Sequence, residues 1–247
     1  MKIVVLNYSG NVGKSTLCNA LLSPRMQQAK IFRIESINDS GISNAPEEKL
    51  RGSQFRKLMQ EILMHDDAII DVGTSNVEEF ILMMMEYDGA YEDFDYFIVP
   101  VLADNKAVKE AQDSIKTIQT LHKIGVDKNK IMVVFNRLDK RLELNDEAGI
   151  MLNFHKKEKM FHLSQDAIVY NSELWLGLAK TKQSFYTVVN DKSDYKSLLA
   201  EEKNEKKRED IINKWTTQRA ARTVEKNMND VFFALFQCES FASVDAL

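Results

Sequence analysis

A doubly wound α/β protein, with a mostly parallel sheet flanked by helices and a C-terminal helical extension, is the fold class this sequence predicts. Three observations carry the expectation. Six short runs rich in Ile and Val, at residues 2–6, 31–34, 68–71, 96–101, 130–135 and 167–170, lack the polar alternation of a half-exposed strand and read as strands covered on both faces. Segments of helical spacing lie between them, at 14–22, 48–64, 77–86 and 105–124. The chain is long enough for a full core, with 247 residues, 44% hydrophobic and 28% charged, and its nine Gly and three Pro leave little room for linkers.

The pattern changes near residue 195. Residues 196–236 contain no Gly or Pro, and Ile211, Ile212, Trp215, Val224, Met228, Val231 and Leu235 recur mostly three or four apart. This predicts a long amphipathic helix or helical pair docked by that face, giving a sheet domain over 1–195 and a helical region over 196–247 packed on it. The basic residues Lys203, Lys206, Lys207, Arg208, Lys214, Arg219, Arg222 and Lys226 are interleaved with Glu201, Glu202, Glu205, Glu209, Asp210 and Glu225. Mixed signs read as a solvated face, with direct DNA contact through the basic subset as the second reading. The apolar stretch 231–236 has no basic neighbours and the chain runs on to Asp245, so core or dimer packing is expected there rather than lipid binding.

Composition excludes several classes. A net charge of -4 argues against a generic polyanion binder. Cys18 and Cys238 have no metal spacing, His65, His122, His155 and His162 have no paired ligand spacing, and no nucleophile elbow occurs. The first apolar run, residues 3–6, is too short for a secretory signal, and no run is long enough to cross a bilayer. The expected compartment is a reducing cytoplasm.

The chemistry is concentrated just after the first strand, in Ser9-Gly10-Asn11-Val12-Gly13-Lys14-Ser15-Thr16. Gly10 and Gly13 let the backbone approach an anion, and successive N–H groups of residues 10–16 converge with the positive end of the following helix. Lys14 places an ammonium at the β/γ-phosphates and Ser15 offers a hydroxyl to Mg²⁺. The general pattern GxxxxGK[ST] wants Gly at position 8, where this chain has Tyr8. Asp71, closing the third strand, is a candidate Mg²⁺ holder through water, with helix capping as the plainer role.

Gly10-Asn11-Val12-Gly13-Lys14-Ser15 resembles the variant phosphate loop KGGxGK[ST] of the ParA/MinD family of P-loop ATPases, and Leu6 to Lys14 resembles StbB/TraL-type plasmid stability and transfer proteins. The resemblance implies ATP and Mg²⁺ as cofactors. It makes Asp71 the Walker B aspartate and Gly73-Thr74 a switch sensing the γ-phosphate. Two departures stand out. The family's signature lysine, which reaches a dimer partner's phosphates, falls on Ser9. The family's DxDPQ element falls on Glu35-Ser36-Ile37-Asn38-Asp39, so Ile37 replaces the water-positioning carboxylate. Asp39 is the candidate substitute, and an ordinary Asp-Ser-Gly turn is the other reading. Lys14 and Asp39 are thus the candidate catalytic residues.

Asn136-Arg137-Leu138-Asp139 follows the fifth strand. A family Asn here contacts adenine, whereas Asn-Arg-x-Asp also resembles the NKxD element of GTPases, in which the aspartate reads guanine. The DxxG element of GTPases would need Gly where Thr74 stands, so adenine is favoured. Residues 171–174 are expected to close the other side of the base pocket. The resulting expectation is an ATP-gated switch in plasmid stability, segregation or conjugative transfer, weakly hydrolysing or partner-stimulated. A homodimer and a DNA-binding adaptor are its expected partners. A non-hydrolysing nucleotide-binding scaffold, a GTPase and a phosphotransferase or ligase on the same scaffold are the alternatives.

Overall fold

The computed structural model describes residues 1–34, 47–181 and 183–236, with side chains described outside 47–53 and 180. In chain order it contains β1 (Lys2–Val5); α1 (Lys14–Thr16), continued by a π-helical stretch Leu17–Leu22; β2 (Lys30–Ile34); α2 (Glu47–Leu63); β3 (Ala68–Val72); α3 (Val77–Glu86); β4 (Tyr96–Leu102); α4 (Val108–Lys123); β5 (Ile131–Leu138); α5 (Leu144–Glu147); α6 (Gly149–Glu158); β6 (Ile168–Tyr170); α7 (Leu174–Thr181); α8 (Phe185–Val189); α9 (Tyr195–Glu201); and α10 (Glu205–Phe236). The strands form one sheet in the order β2-β3-β1-β4-β5-β6, and every pairing is parallel. This is the doubly wound class expected from the apolar runs.

The two-faced burial of the strands follows from their period of two. Val4, Ile70, Val99 and Val133 join one apolar cluster with Phe55, Met59 and Ile62 of α2, Phe80 and Met84 of α3, and Ile118 and Leu121 of α4. Ile3, Val5, Ile69, Ile98 and Val134 join the other, with Leu17, Leu21, Leu178 of α7, Phe185 of α8, and Val224, Met228, Val231 and Leu235 of α10. Polar residues in these strands would face a helix layer on either side, which is why the runs read as uniformly apolar.

The expected helix at 14–22 is only partly α-helical. Beyond Thr16 the bonding widens, and Ser23 N–H donates to the Cys18 carbonyl at 3.0 Å, five residues back. Nothing in residue periodicity distinguishes that spacing from an α-helix. The elements α5 to α8 lie where no helix was expected. Each spans ten residues or fewer and α6 buries only Met151, too little to stand out as a periodic stripe.

The helical pair at the C-terminal side does form, as α9 and α10. Asp194 caps α9, accepting from the N–H groups of Lys196 and Ser197 at 3.1 Å each. The apolar docking falls in the second half of α10, while the first half is held by polar contacts, with Arg208 donating to the carbonyls of Leu199 and Glu202. Val224, Met228, Val231 and Leu235 are buried, whereas Ile212 is 42% exposed and Trp215 is partly covered by the Arg219 guanidinium, 4.2 Å above its ring. A buried cation ties the helix down. Arg25 donates to the carbonyls of Ala20 and Leu21 at 2.9 Å, to Asn229 Oδ1 at 2.9 Å and to Glu225 Oε1 at 2.9 Å. Among the described residues, no helix is long and apolar enough to cross a membrane.

Candidate functional site: the loop after β1

The loop is shaped first by Asn7, fully buried at the end of β1. Its Nδ2 donates to Pro100 O and to Ser114 Oγ, both at 2.8 Å, and its Oδ1 accepts from Ser9 N–H at 2.7 Å. Tyr8 N–H donates to Thr117 Oγ1 at 3.1 Å, and the Lys116 ammonium sits 4.6 Å over the Tyr8 ring. Residues 7–9 are therefore held by β4 and α4. Left-handed backbone falls at Asn11 (φ 58) and Gly13 (φ 101), not at position 8. That accounts for the departure from the general motif, since Tyr8 occupies a conformation open to any residue.

Gly13 is demanded twice. Its φ is costly for an L side chain, and a Cβ there would lie 2.1 Å from Asn136 Nδ2. That same Nδ2 donates to Val12 O at 2.8 Å, and Asn136 is only 3% exposed. Asn136 is thus placed beneath the loop as its brace, and it is not among the residues lining the cavity described below. Gly10 differs: a Cβ there would meet nothing nearer than Thr74 Oγ1 at 3.8 Å, an ordinary contact.

Lys14 is 8% exposed and its Nζ donates to Ser9 O at 2.9 Å, Asn7 O at 3.4 Å and Thr74 Oγ1 at 2.7 Å. Burial lowers its pKa, and the nearby Asp71 charge works against that shift. Asp71 is 5% exposed and lies in register with Val5, on the strand adjacent to β1. Below it, the Cys18 thiol is pushed well above its usual pKa, first by burial and then by the Asp71 carboxylate. Cys18 is therefore a protonated core residue rather than a nucleophile.

These groups converge on a cavity of about 310 Å³ lined by Asn11, Gly13, Lys14, Ser15, Thr16, Asp71, Gly73, Thr74 and Arg137. Of the residues singled out in the sequence, Asn11, Gly13, Lys14, Ser15, Thr16, Asp71, Gly73 and Thr74 line it. Gly10 lies beside Thr74, and Val12 is buried with its carbonyl taken by Asn136. Asp39, with Glu35 and Ile37, lies outside the described residues. Arg137 was missed as a site residue. Its only sequence signal was its place beside Asn136 at a strand end. Its φ of 64 brings it over the loop, where Nη2 donates to Asn11 Oδ1 at 3.0 Å.

Thr74 is coupled to the neighbouring strand. Gly73 N–H donates to Ile34 O at 2.9 Å, and Asn76 Nδ2 donates to the same carbonyl at 3.1 Å. Asp139 is gripped by Arg141, which donates from its backbone N–H and Nε to Oδ1 at 3.0 Å each, and from Nη2 to Oδ2 at 2.6 Å. Those bonds hold the Asp139 carboxyl at a pKa of about 2.

No protein-family model and no curated protein sequence matches the chain. Among solved structures it is similar to apo McdA of Cyanothece, at 14% identity with a TM-score of 0.49, over 90% of this chain and 98% of that one. It is also similar to a complex of a Cyanothece McdA variant with ATP, at 13% identity with a TM-score of 0.47, over 92% of this chain and 95% of that one.

Proposed function

We propose that the chain is a ParA/MinD-type P-loop ATPase acting as an ATP-gated switch in plasmid stability, segregation or conjugative transfer. The observation carrying this reading is the meeting of Lys14, Ser15, Asp71 and Thr74 in one cavity at the carboxyl end of a parallel sheet. A left-handed Gly13 and the start of α1 present backbone N–H groups to an anion there. Ser15 and Asp71 are hard oxygen donors on the same cavity wall, and they suit Mg²⁺, which keeps most of its waters and takes one or two protein ligands. When bound, the ion would neutralise phosphate charge.

The switch rests on exchangeable bonds. Lys14 Nζ is held by Thr74 and two loop carbonyls. A γ-phosphate competes for that ammonium and for the Thr74 hydroxyl. Because Gly73 and Asn76 share the Ile34 carbonyl, reordering at Thr74 reaches the end of β2 directly. Asn136 serves the site by fixing Val12 and Gly13, and the loops after β5 and β6 take the base; Asn171 N–H donating to Leu138 O at 2.9 Å joins them. Adenine is favoured over guanine because Thr74 stands where the DxxG element of GTPases needs Gly. With Ile37 in place of a water-positioning carboxylate, hydrolysis is slow and awaits a partner, here a homodimer and a DNA-binding adaptor.

Hydrogen exchange tests the switch. ATP with Mg²⁺ is expected to slow exchange at residues 73–77 as well as at 10–16, and ADP is expected to protect only 10–16. Equal protection by both nucleotides would contradict γ-phosphate sensing.

A further inference from the structure

We propose that Arg137 is a phosphate ligand supplied by the same chain, a second cation facing Lys14 across the bound phosphates. The proposal rests on the reading of the cavity as a nucleotide site.

Arg137 is built to leave its strand. It is the penultimate residue of β5, where the pairing with β6 shifts between Asn136 and Leu138: Asn136 is opposite Val169 and Leu138 opposite Tyr170. An irregularity of this kind re-aims a side chain. The left-handed φ of 64 is costly for any residue with a Cβ and persists only where the flanks enforce it. Here they do. Asn136 is buried and bonded to Val12 O, and Leu138 is 2% exposed. The strain delivers an exposed guanidinium to the cavity that Lys14, Ser15 and Asp71 line.

The chemistry fits a phosphate chain. Lys14 is a point charge approached from within the loop, and its donors already reach Asn7 O, Ser9 O and Thr74 Oγ1. Arg137 is a planar fork that spends one bond, among the described residues, on Asn11 Oδ1 at 3.0 Å. A guanidinium pairs with phosphate oxygens two at a time and keeps its charge at every relevant pH. Among the cavity's charged residues, Asp71 offsets Lys14, so Arg137 supplies the net positive charge that the chain itself brings to a polyphosphate, beside that of the bound ion. Asn11, itself left-handed at φ 58, orients the fork from the loop tip.

Calorimetric titration with ATP and Mg²⁺ tests this on wild type, Arg137→Asn, Arg137→Lys, Asn11→Ala and the double variant Arg137→Asn with Asn11→Ala. Asparagine is chosen because it tolerates left-handed backbone and is too short to reach a phosphate. The expected result is about a tenfold or greater loss of affinity for Arg137→Asn, a partial recovery for Arg137→Lys, and a loss of about threefold or less for Asn11→Ala. The salt dependence of affinity should also flatten in Arg137→Asn, which a mere tether would not cause. Equal losses in Arg137→Asn and Asn11→Ala, with no further loss in the double variant, would show Arg137 to be only a tether of Asn11 and overturn the proposal. So would unchanged affinity in Arg137→Asn. If wild type binds no nucleotide, the functional reading fails by itself, and inorganic pyrophosphate becomes the probe: an Arg137-dependent affinity upholds the phosphate ligand, and none overturns it too.

Discussion

At the scale of single residues, the two glycines of the loop carry different burdens. Gly13 combines a left-handed backbone with a Cβ position 2.1 Å from Asn136 Nδ2, so an added methyl must both strain the chain and dislodge a buried amide from Val12 O. Gly13→Ala is expected to cost about 2–3 kcal/mol in denaturant unfolding, from backbone strain plus an unsatisfied buried group. Gly10→Ala, with 3.8 Å to its nearest neighbour, is expected to stay within about 0.5 kcal/mol of wild type. Equal losses at both positions would contradict this account of the loop. The sequence pattern named Gly10 and Gly13 together because a motif records spacing, whereas φ and the distance to Asn136 are properties of the folded chain. For the same reason Lys14, Ser15 and Asp71 were legible and Arg137 was not. The first three follow from their place after apolar strands, while Arg137 reaches the cavity only through a strand irregularity with no residue signature. Asn136 was legible as a residue of the site but not in its posture, since strand position alone does not say whether its amide faces a ligand or the loop.

At the scale of elements, α10 is docked by its apolar face, by Asn227, which bonds Tyr170 N–H and Ile168 O of β6, and by one buried guanidinium. Arg25 bonds the carbonyls that end the π-helical stretch, together with Asn229 and Glu225 of α10, with its side chain only 4% exposed. Removing it strands Glu225 and two carbonyls in a poorly hydrated seam. Arg25→Ala is expected to cost about 3 kcal/mol, which lowers the thermal midpoint by roughly 6–12 °C in a chain of this size. Arg25→Lys should recover little, because one ammonium cannot span both helices as the fork does. A midpoint within about 2 °C of wild type would remove Arg25 from this role. The apolar spacing of Val224, Met228, Val231 and Leu235 made this docking face readable in advance, but not its extent. Ile211, Ile212 and Trp215 continue the same period into the half of the helix that remains partly or fully exposed. Periodicity gives the face of a helix; how far that face is covered depends on where the neighbouring elements end.

At the scale of the whole molecule, the strand order explains why the chemistry gathers where it does. β1 sits between β3 and β4, so its outgoing loop lies beside Asp71 and Thr74 on one side and is braced from β4, α4 and β5 on the other. The alternation of apolar runs and helical segments was enough to foretell a parallel sheet covered on both faces, but not the order of its strands, which no run of apolar residues encodes. The central question for the molecule is whether that convergence binds a nucleoside triphosphate. Calorimetric titration of the full chain with ATP and Mg²⁺, beside GTP and beside Lys14→Ala, measures it directly. ATP is expected to bind with about tenfold or greater preference over GTP, and Lys14→Ala is expected to lose about tenfold or more, the worth of a charge-assisted phosphate bond. Binding that is absent in wild type, or that survives unchanged in Lys14→Ala, would contradict a nucleotide site at this loop.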